Sequence, residues 1–340
     1  MTTRILLVKV AALGDAVMAS TILPAVHARW PGAELTWVAG RAVAPLARLF
    51  EGVHRVVEVN ERKLLRGGVF ARVGALARAW RDIGRGYDVA LVAHSDARYG
   101  MLAWWCAARH VRRVSVGAGN ARGRWHGDAY AWLAGDGDTW GPRASGARYG
   151  LLKRELLPPA PPVGGTGPLV VVAPGGARNV LRDDALRRWP LERWTALVRS
   201  LAGSGARVVA VGGPEDAAEG AACAAAGATD LTGRTTVETL LSLLSASACV
   251  VSHDSGVLHL ALLVRAPVVA LFGPTRAEGR IPPGARATVL SAAPGLACAP
   301  CYDGFAYAPC ARNACLADVS VEEVASAVRA QLGVNASPAP

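Results

Sequence analysis

The sequence predicts an α/β protein made of two doubly wound parallel sheets, each covered by helices on both faces. The chain has 340 residues, which fits two domains of ordinary size, and 52% of them are apolar, enough for a core in each. Short apolar runs alternate with amphipathic segments in both halves, a pattern typical of parallel strands joined by helices. A stretch rich in proline and glycine separates the two series.

The first half begins with a continuous apolar run at residues 5–8, as expected for a strand buried on both faces. A small-residue turn then leads into a helix predicted to run to Trp30, before Pro31 and Gly32. The remaining strands of this half are predicted at residues 35–38, 53–59, 87–93 and 113–116. This series constitutes a predicted N-terminal domain over residues 1–160.

The segment 157–168 has five prolines and three glycines, so it cannot form a helix or a central strand. It predicts an interdomain linker, with residues 161–168 as its core. A second domain is predicted over 169–333 and a disordered tail over 334–340. Its strands are predicted at 169–172, 207–211, 248–251 and 268–272, and its helices at 191–201, 217–226, 237–245 and 321–332. Ser320 and Glu323 have the spacing of a capping box for the last helix.

The composition is strongly basic, with 37 Lys and Arg against 26 Asp and Glu and a formal net charge of +11. Many of these cations lie in residues 41–86. This excess favours an anionic partner, such as a nucleotide, a phosphorylated acceptor or an acidic membrane surface. Nucleic acid is not predicted, because no binding motif or interleaved aromatic platform accompanies the charge. No apolar run reaches the roughly 20 residues that span a bilayer, and no signal peptide is recognised, so a cytoplasmic protein is expected.

Ligands of doubly wound sheets bind at the carboxyl ends of the strands, where the strand order reverses. In the first domain, Lys9 comes directly after the first predicted strand, and Gly14 and Asp15 follow in the turn beyond it. Asp15 could be a general base toward a hydroxyl, or simply a carboxylate that caps a helix. Lys9 and His94, which follow two separate strands, are predicted to line the acceptor side. If the two sheets face each other, their crevices form one cleft.

The second domain opens with a strand and a glycine-rich loop whose backbone N–H groups could hold a pyrophosphate. Arg178 and Arg187 could neutralise that group, and Glu215 could accept hydrogen bonds from a ribose. Ordinary helix-entry roles are the alternatives for Arg187 and Glu215. The predicted donor-binding residues of this region are Pro174, Gly175, Gly176, Arg178, Arg187 and Glu215, with Gly14 from the first domain.

A second polar turn follows the strand at 248–251. Asp254 or Ser255 could cap the next helix, Gly256 allows close approach to the backbone, and His259 lies one turn into the helix. A helix N-terminus also favours a phosphate. Asp254, Ser255, Gly256 and His259 are therefore predicted to bind the donor, although an ordinary capped turn is the alternative.

Four cysteines lie within eighteen residues, at Cys298, Cys301, Cys310 and Cys315. Four thiolates so spaced suit a tetrahedral zinc or iron ion that staples the loop, and disulfides are the rival interpretation. Four protein ligands leave no open position, so a catalytic metal is not expected. The three other cysteines, each in an apolar segment, are predicted to be buried and inert.

Taken in order, these motifs resemble glycosyltransferase family 9, the bacterial lipopolysaccharide heptosyltransferases. The resemblance is carried by Leu13-Gly14-Asp15, Pro174-Gly175-Gly176, Arg188-Trp189-Pro190, Asp254-Ser255-Gly256 with His259, and Phe272-Gly273-Pro274-Thr275. It covers nearly the whole chain. The sequence departs from the family at Ala11-Ala12, where a serine is frequent, and at Arg187, where many members have lysine.

The resemblance implies a GT-B fold, with two Rossmann-like domains facing across a cleft. It implies an ADP-heptose donor bound to the second domain and an inverting transfer to an acceptor hydroxyl with no metal in the chemistry. Asp15 matches the family's base, and Asp254, Ser255, Gly256 and His259 match its donor loop. The expected acceptor is an anionic glycolipid or another glycoconjugate at the inner face of the membrane. An epimerase of nucleotide sugars and a non-catalytic two-lobed binding protein remain as alternatives.

Overall fold

The computed structural model describes residues 2–114, 124–135, 146–178, 182–304 and 306–336. It divides into two compact units, Met1–Leu156 and Leu157–Pro340, and the boundary lies where the segment rich in proline and glycine begins. Each unit contains one sheet whose strands all run parallel. The α/β prediction with two parallel sheets is therefore confirmed. Within the described ranges no helix is both long and apolar enough to cross a membrane.

The sheet of the first unit has five strands in the order β3-β2-β1-β4-β5. Its strands are β1 Arg4–Val8, β2 Glu34–Gly40, β3 Val53–Val59, β4 Val89–Val92 and β5 His110–Arg113. Its helices are α1 Leu13–Ala19, α2 Ile22–Arg29, α3 Ala44–Arg48, α4 Glu61–Arg66, α5 Val69–Ile83, α6 Ala97–Trp104 and α7 His126–Ala131. The strand order reverses between β1 and β4, so a ligand crevice is expected beyond their carboxyl ends.

Two predictions for the first unit are wrong in detail. The single helix expected up to Trp30 is two helices, because the hydroxyls of Ser20 and Thr21 donate to backbone carbonyls three residues earlier and end α1. The strand expected at 113–116 is β5, His110–Arg113, and residues 115 and 116 lie outside the described residues. As an edge strand β5 carries charged, exposed side chains, so the apolar pattern placed its start three residues too late.

The second unit has a six-stranded sheet in the order β11-β10-β9-β6-β7-β8, the arrangement of a dinucleotide-binding fold. Its strands are β6 Leu169–Ala173, β7 Arg207–Ala210, β8 Thr229–Asp230, β9 Cys249–His253, β10 Val268–Leu271 and β11 Ala287–Leu290. Its helices are α8 Leu191–Gly203, α9 Ala217–Ala225, α10 Val237–Ala246, α11 Gly256–Leu263, α12 Ala314–Ala317 and α13 Val321–Ala336. The sequence missed β8 and β11, the two short edge strands.

A dense apolar core fixes the second sheet against its helices. Trp194, Leu197 and Leu201 of α8 are fully buried, or nearly so, against the strands, and each such side chain contributes about 1.5–3 kcal/mol. The predicted capping box is confirmed, since Ser320 and Glu323 exchange hydrogen bonds at the start of α13. That helix extends to Ala336, so the first three residues of the predicted tail are helical, and residues 337–340 lie outside the described part.

Candidate functional site

In the first unit, a buried lysine and a partly exposed aspartate meet beyond the carboxyl end of β1. Lys9 Nζ lies 3.6 Å from Asp15 Oδ2, and the two side chains are 2% and 38% exposed. Lys9 Nζ also donates a hydrogen bond of 3.2 Å to the hydroxyl of Tyr130 on α7. Burial alone would lower the pKa of Lys9, but Tyr130 and Asp15 outweigh it and raise that pKa. The lysine is therefore charged, and it places a fixed cation beside an accessible carboxylate.

The backbone around this pair is held by neighbouring strands. The indole Nε1 of Trp37 donates to the carbonyl of Lys9 at 3.0 Å, and the N–H of Val10 donates to His94 Nε2 at 2.8 Å. His94, just beyond β4, is stacked on Tyr99 with ring centroids 3.7 Å apart. Burial, followed by the charges of Lys9 and Arg113, lowers the pKa of His94 well below its usual value. The neutral imidazole thus fixes Val10 in the segment that leads to α1 and Asp15, while its predicted role toward an acceptor stays a prediction.

In the second unit, the glycine-rich loop after β6 is organised around Asp216, which sequence reasoning missed. Its buried carboxylate accepts from the N–H of Gly176 at 2.8 Å and from that of Gly213 at 2.9 Å. A Cβ atom at Gly175 would lie 2.2 Å from the Asp216 carboxyl carbon, so a side chain there would collide. Gly175 is therefore required in part because the Asp216 carboxylate occupies the space of a side chain, and no spacing in the sequence indicated this contact.

Arg178 sits within three carboxylates of the same unit. It contacts Asp216 directly, Glu219 at 2.9 Å and Asp183 at 3.8 Å. Its charge is thus matched inside the loop, and its predicted contact with a pyrophosphate stays a prediction. Glu215 is exposed, and its backbone carbonyl accepts from Arg178 at 3.3 Å. The structure does not test the ribose role predicted for it.

The turn after β9 places one buried carboxylate beside two arginines and a histidine. Asp254, 5% exposed, lies 3.4 Å from Arg187 Nη1, 3.6 Å from Arg280 Nε and 3.7 Å from His259 Nε2. Burial by itself would raise the pKa of Asp254, but Arg280, Arg187 and His259 together hold it well below the usual range. Arg280, in the loop after β10, is a second residue that the sequence did not reveal. We call Asp254, Arg187, Arg280 and His259 the arginine cluster.

The helix cap expected at this turn is different in the structure. Ser255 occupies the N-cap position of α11, but its hydroxyl pairs with that of Ser252 at 3.1 Å instead of capping the helix. The carboxylate of Asp254 instead pairs with Arg187 and Arg280, which are electrostatically stronger partners than a helix N-terminus. A Cβ atom at Gly176 would lie 3.3 Å from Ser255 Cβ, so the loops after β6 and β9 are neighbours. The predicted donor residues of these two loops therefore share one edge of the sheet.

The Cys-rich loop contributes two tyrosines to the arginine cluster. Arg187 Nε donates to the hydroxyl of Tyr307 at 2.7 Å, and its guanidinium lies 5.0 Å from the ring centroid of Tyr302. The backbone N–H of Tyr302 donates to the carbonyl of Pro274 at 2.9 Å, which joins this loop to the turn after β10. Burial lowers the pKa of Arg187, whereas Asp254, Tyr307 and Asp184 raise it, and the net shift is upward. Neither tyrosine was singled out from the sequence.

All seven cysteines are free thiols in the structure, and Cys106, Cys223 and Cys249 are buried as predicted. In the Cys-rich loop, Cys298 and Cys310 are exposed, Cys301 is half-buried and Cys315 is buried. Burial and then the three other thiols raise the pKa of Cys315 to about 11. The thiols thus share one neighbourhood, but the described residues contain no group of three or more potential ligands arranged to hold a metal.

Comparison with known proteins agrees with the architecture. Residues 152–306 match the family described as glycosyltransferase family 9 (heptosyltransferase). The chain is 21% identical over 325 residues to lipooligosaccharide heptosyltransferase 2 of Haemophilus influenzae, covering 84% of this chain and 88% of that protein. The structure of Escherichia coli ADP-heptose lipopolysaccharide heptosyltransferase II is similar with a TM-score of 0.74, at 19% identity over 98% of this chain and all of the other. An iron-containing dodecameric glycosyltransferase from enterotoxigenic E. coli has a TM-score of 0.57 at 14% identity, covering 98% of this chain and 77% of the other.

Proposed function

We propose that this chain, whose residues 152–306 match glycosyltransferase family 9, moves a heptose or a related sugar from an ADP-sugar to an acceptor hydroxyl. That it is a glycosyltransferase follows from the family. The acceptor we propose is an anionic glycolipid of the lipopolysaccharide core, or another glycoconjugate, at the cytoplasmic face of the inner membrane. The observation that carries the donor proposal is the arginine cluster at the reversal of strand order in the second sheet.

The arginine cluster supports binding of a diphosphate. Arg187 Nη1 lies 3.4 Å from Asp254 Oδ2, and Arg187 Nη2 lies 3.8 Å from Asp184 Oδ2. Both are ion-pair distances, longer than the roughly 2.7–2.9 Å of a charge-assisted hydrogen bond. The Nη groups of Arg187 are therefore able to donate to phosphate oxygens while Asp254 keeps the guanidinium in place. Arginine suits this task because its planar fork pairs with two oxygens at once.

In the proposed mechanism, the acceptor oxygen attacks the anomeric carbon from the face opposite the diphosphate, so the configuration inverts. Asp15 accepts the proton of that hydroxyl as the new bond to carbon forms. The bond from carbon to the diphosphate oxygen breaks, and its electron pair leaves with ADP. Arg187 and Arg280 stabilise the negative charge that develops there. Lys9 positions Asp15, and Lys9 and Tyr130 line the site where the acceptor would bind.

A donor panel tests this proposal. ADP-heptose, other ADP-sugars, GDP-sugars and UDP-sugars are compared by thermal shift, since a ligand of the folded state raises its melting temperature. We expect a shift with ADP compounds that Arg187→Gln and Arg280→Gln weaken, while Arg154→Gln, at an exposed position of the first unit, does not. If no ADP compound shifts the melting temperature, the proposed donor is wrong. Turnover of donor without acceptor would favour an epimerase, and binding without product a non-catalytic protein.

We also propose that the Cys-rich loop takes up a structural zinc or iron ion through Cys298, Cys301, Cys310 and Cys315. The donor set suits such an ion, and the backbone N–H of Asn313 already donates to Cys310 Sγ at 3.2 Å, as expected around a metal thiolate. In the bound state the ion would supply a staple, with four thiolates and no open position. Metal analysis of the purified chain checks this: about one ion per chain is expected, and Cys298→Ser with Cys301→Ser should remove it. Equal metal content in the double variant would contradict the site.

A further inference from the structure

The first unit exposes an unusual concentration of large apolar side chains. In the described part of the chain, seven of the exposed large apolar side chains lie between residues 69 and 111, and four lie elsewhere. Phe70 is 93% exposed, Trp104 73%, Val69 72% and Val73 61%. Contiguous apolar surface of this kind is rare on a soluble monomer and marks a contact surface.

The geometry of α5 explains why these side chains form one surface. Val69, Val73, Ala77 and Trp80 are spaced by four, four and three residues, so they follow one line along the helix. Ala79 and Ile83, on the adjoining side, are buried against the sheet. The apolar arc of α5 is therefore wider than the side that the core covers.

Helix α6 continues the same surface. The ring of Trp80 lies 5.7 Å from that of Trp104 and 5.5 Å from that of Trp105, which stacks on it, and Trp80 Nε1 donates to the carbonyl of Met101 at 2.8 Å. The guanidinium of Arg85 covers Trp105 at 3.9 Å from the ring centroid. We call the line on α5 and Phe70 of its first turn, together with Met101, Trp104 and Trp105, the aromatic face.

The aromatic face is bordered by positive charge. Residues 61–85 contain seven Lys and Arg against two acids, Glu61 and Asp82. Arg78 and Arg81 are exposed on the outer side of α5, next to the apolar line. A second copy of this chain is a poor partner for the face, because it would bring like charges together.

We propose that the aromatic face docks on the surface of an anionic phospholipid bilayer. Tryptophan and phenylalanine enter the interfacial region of a bilayer, and arginines beside them pair with anionic headgroups. Each cation near such a surface contributes about 1 kcal/mol of attraction, so the arginines and aromatics act together. The inference rests on the proposed function in that a lipid-linked acceptor would then be met at the bilayer where the enzyme is held.

Flotation of the full chain with lipid vesicles tests this. Phosphatidylcholine vesicles with phosphatidylglycerol are compared with pure phosphatidylcholine vesicles, with Phe70→Ser/Val73→Ser and Arg78→Gln/Arg81→Gln as variants. Because all four positions are exposed, folding is expected to be retained. The matched controls are Leu151→Ser and Arg154→Gln, which alter an exposed leucine and an exposed arginine of the same unit.

We expect the wild type and both controls to float with the anionic vesicles, and added salt to release them. The serine variant should lose at least about tenfold in partition, since a buried Phe is worth about 1.5–3 kcal/mol. Each arginine removed should cost roughly fivefold. Flotation of the serine variant at the wild-type level would overturn the proposal. So would a lack of vesicle binding with a concentration-dependent dimer that the serine variant abolishes.

The thermal shift with ADP-heptose separates this inference from the proposed function. The serine variant should keep the full donor shift, because the aromatic face has no part in the arginine cluster. A chain that shifts with the donor but does not float would overturn the docking surface alone. A chain that floats without any donor shift would overturn the proposed function alone.

Discussion

The two units each place an aspartate beside cations at the reversal of strand order, but the two carboxylates differ in burial. Asp15 is 38% exposed, and its Oδ2 lies 3.6 Å from Lys9 Nζ. Asp254 is 5% exposed and lies within 3.7 Å of two arginines and a histidine. The first can meet a substrate hydroxyl directly. The second is enclosed, so in the proposed function it acts on the donor through the arginines that it holds.

This difference has an energetic consequence. A buried carboxylate must be matched by charge, since burial without a partner costs several kcal/mol. Asp254 is therefore tied to the stability of its unit by its own burial, whereas Asp15 is exposed to solvent and is tied to stability as a partner of the buried Lys9. Lys9 reverses the pattern, because it is the buried member of its pair. In the first unit the cation is enclosed and the anion is exposed, and in the second unit the anion is enclosed.

The largest effect is expected for Asp15→Asn. If Asp15 is the base, its loss should reduce turnover about 10²–10⁴-fold, the usual contribution of a general base. The donor thermal shift should stay, because the arginine cluster is intact. Turnover is measured with ADP-heptose and a lipopolysaccharide-core acceptor, and unfolding in urea serves as the control. Near wild-type turnover in a folded variant would remove Asp15 from the chemistry.

Asp254→Asn should have the opposite signature. Two arginines would lose their buried partner, and breaking a buried pair costs about 3–5 kcal/mol of unfolding free energy. In the wild type the folded pKa of Asp254 is depressed, so its contribution is present above about pH 4 and is lost as the pH falls below that. The variant should lack this acid loss. Urea unfolding at neutral and acidic pH measures both, and equal stability of the two proteins at pH 7 would contradict the enclosed role.

The sequence predicted the elements that present these carboxylates better than it predicted their partners. Glycine turns after apolar runs are local signals, so Asp15 and Asp254 could be placed from them. Arg280, Tyr130, Tyr302 and Asp216 reach their sites from distant parts of the chain, and no local pattern identifies such a partner. The edge strands β8 and β11 were missed for a related reason. They are short and half exposed, so they lack the apolar run that identifies a central strand.

The histidines allow a test in both units at once. Burial lowers the pKa of His253 to about 4, and His94 is lowered well below its usual value. Both pKa values are depressed in the folded state. Below about pH 6.5 these histidines therefore bind protons in the unfolded chain but stay neutral in the folded chain. Stability should therefore fall by about 1.4 kcal/mol per pH unit for each histidine as the pH is lowered from 6.5 towards 5. His253→Gln should lessen the slope in urea unfolding, and an unchanged slope would show that His253 does not cause it.

The smallest effects are expected from two tyrosine hydroxyls that hold the two cations. Tyr130 accepts from Lys9 at 3.2 Å, and Tyr307 accepts from Arg187 at 2.7 Å. A hydrogen bond to a charged group contributes about 1.5–3 kcal/mol, so each change to Phe should cost at least about tenfold in the step that its cation serves. Tyr130→Phe should lower kcat, and Tyr307→Phe should raise KM for the donor.

The test depends on which kinetic parameter, kcat or KM, changes in each variant. A merely structural role would lower the apparent kcat of both variants and leave KM unchanged, because it only reduces the folded fraction, so kcat is expressed per folded molecule. The opposite split, with KM changed by Tyr130→Phe and kcat by Tyr307→Phe, would assign the donor to the first unit and the base to the second. The predicted split ties the exposed carboxylate to proton transfer and the enclosed one to the leaving diphosphate. The two hydroxyls lie on α7 and on the Cys-rich loop, so removal of the metal ion that we propose for that loop should reproduce the effect of Tyr307→Phe on KM and leave the kcat effect of Tyr130→Phe untouched.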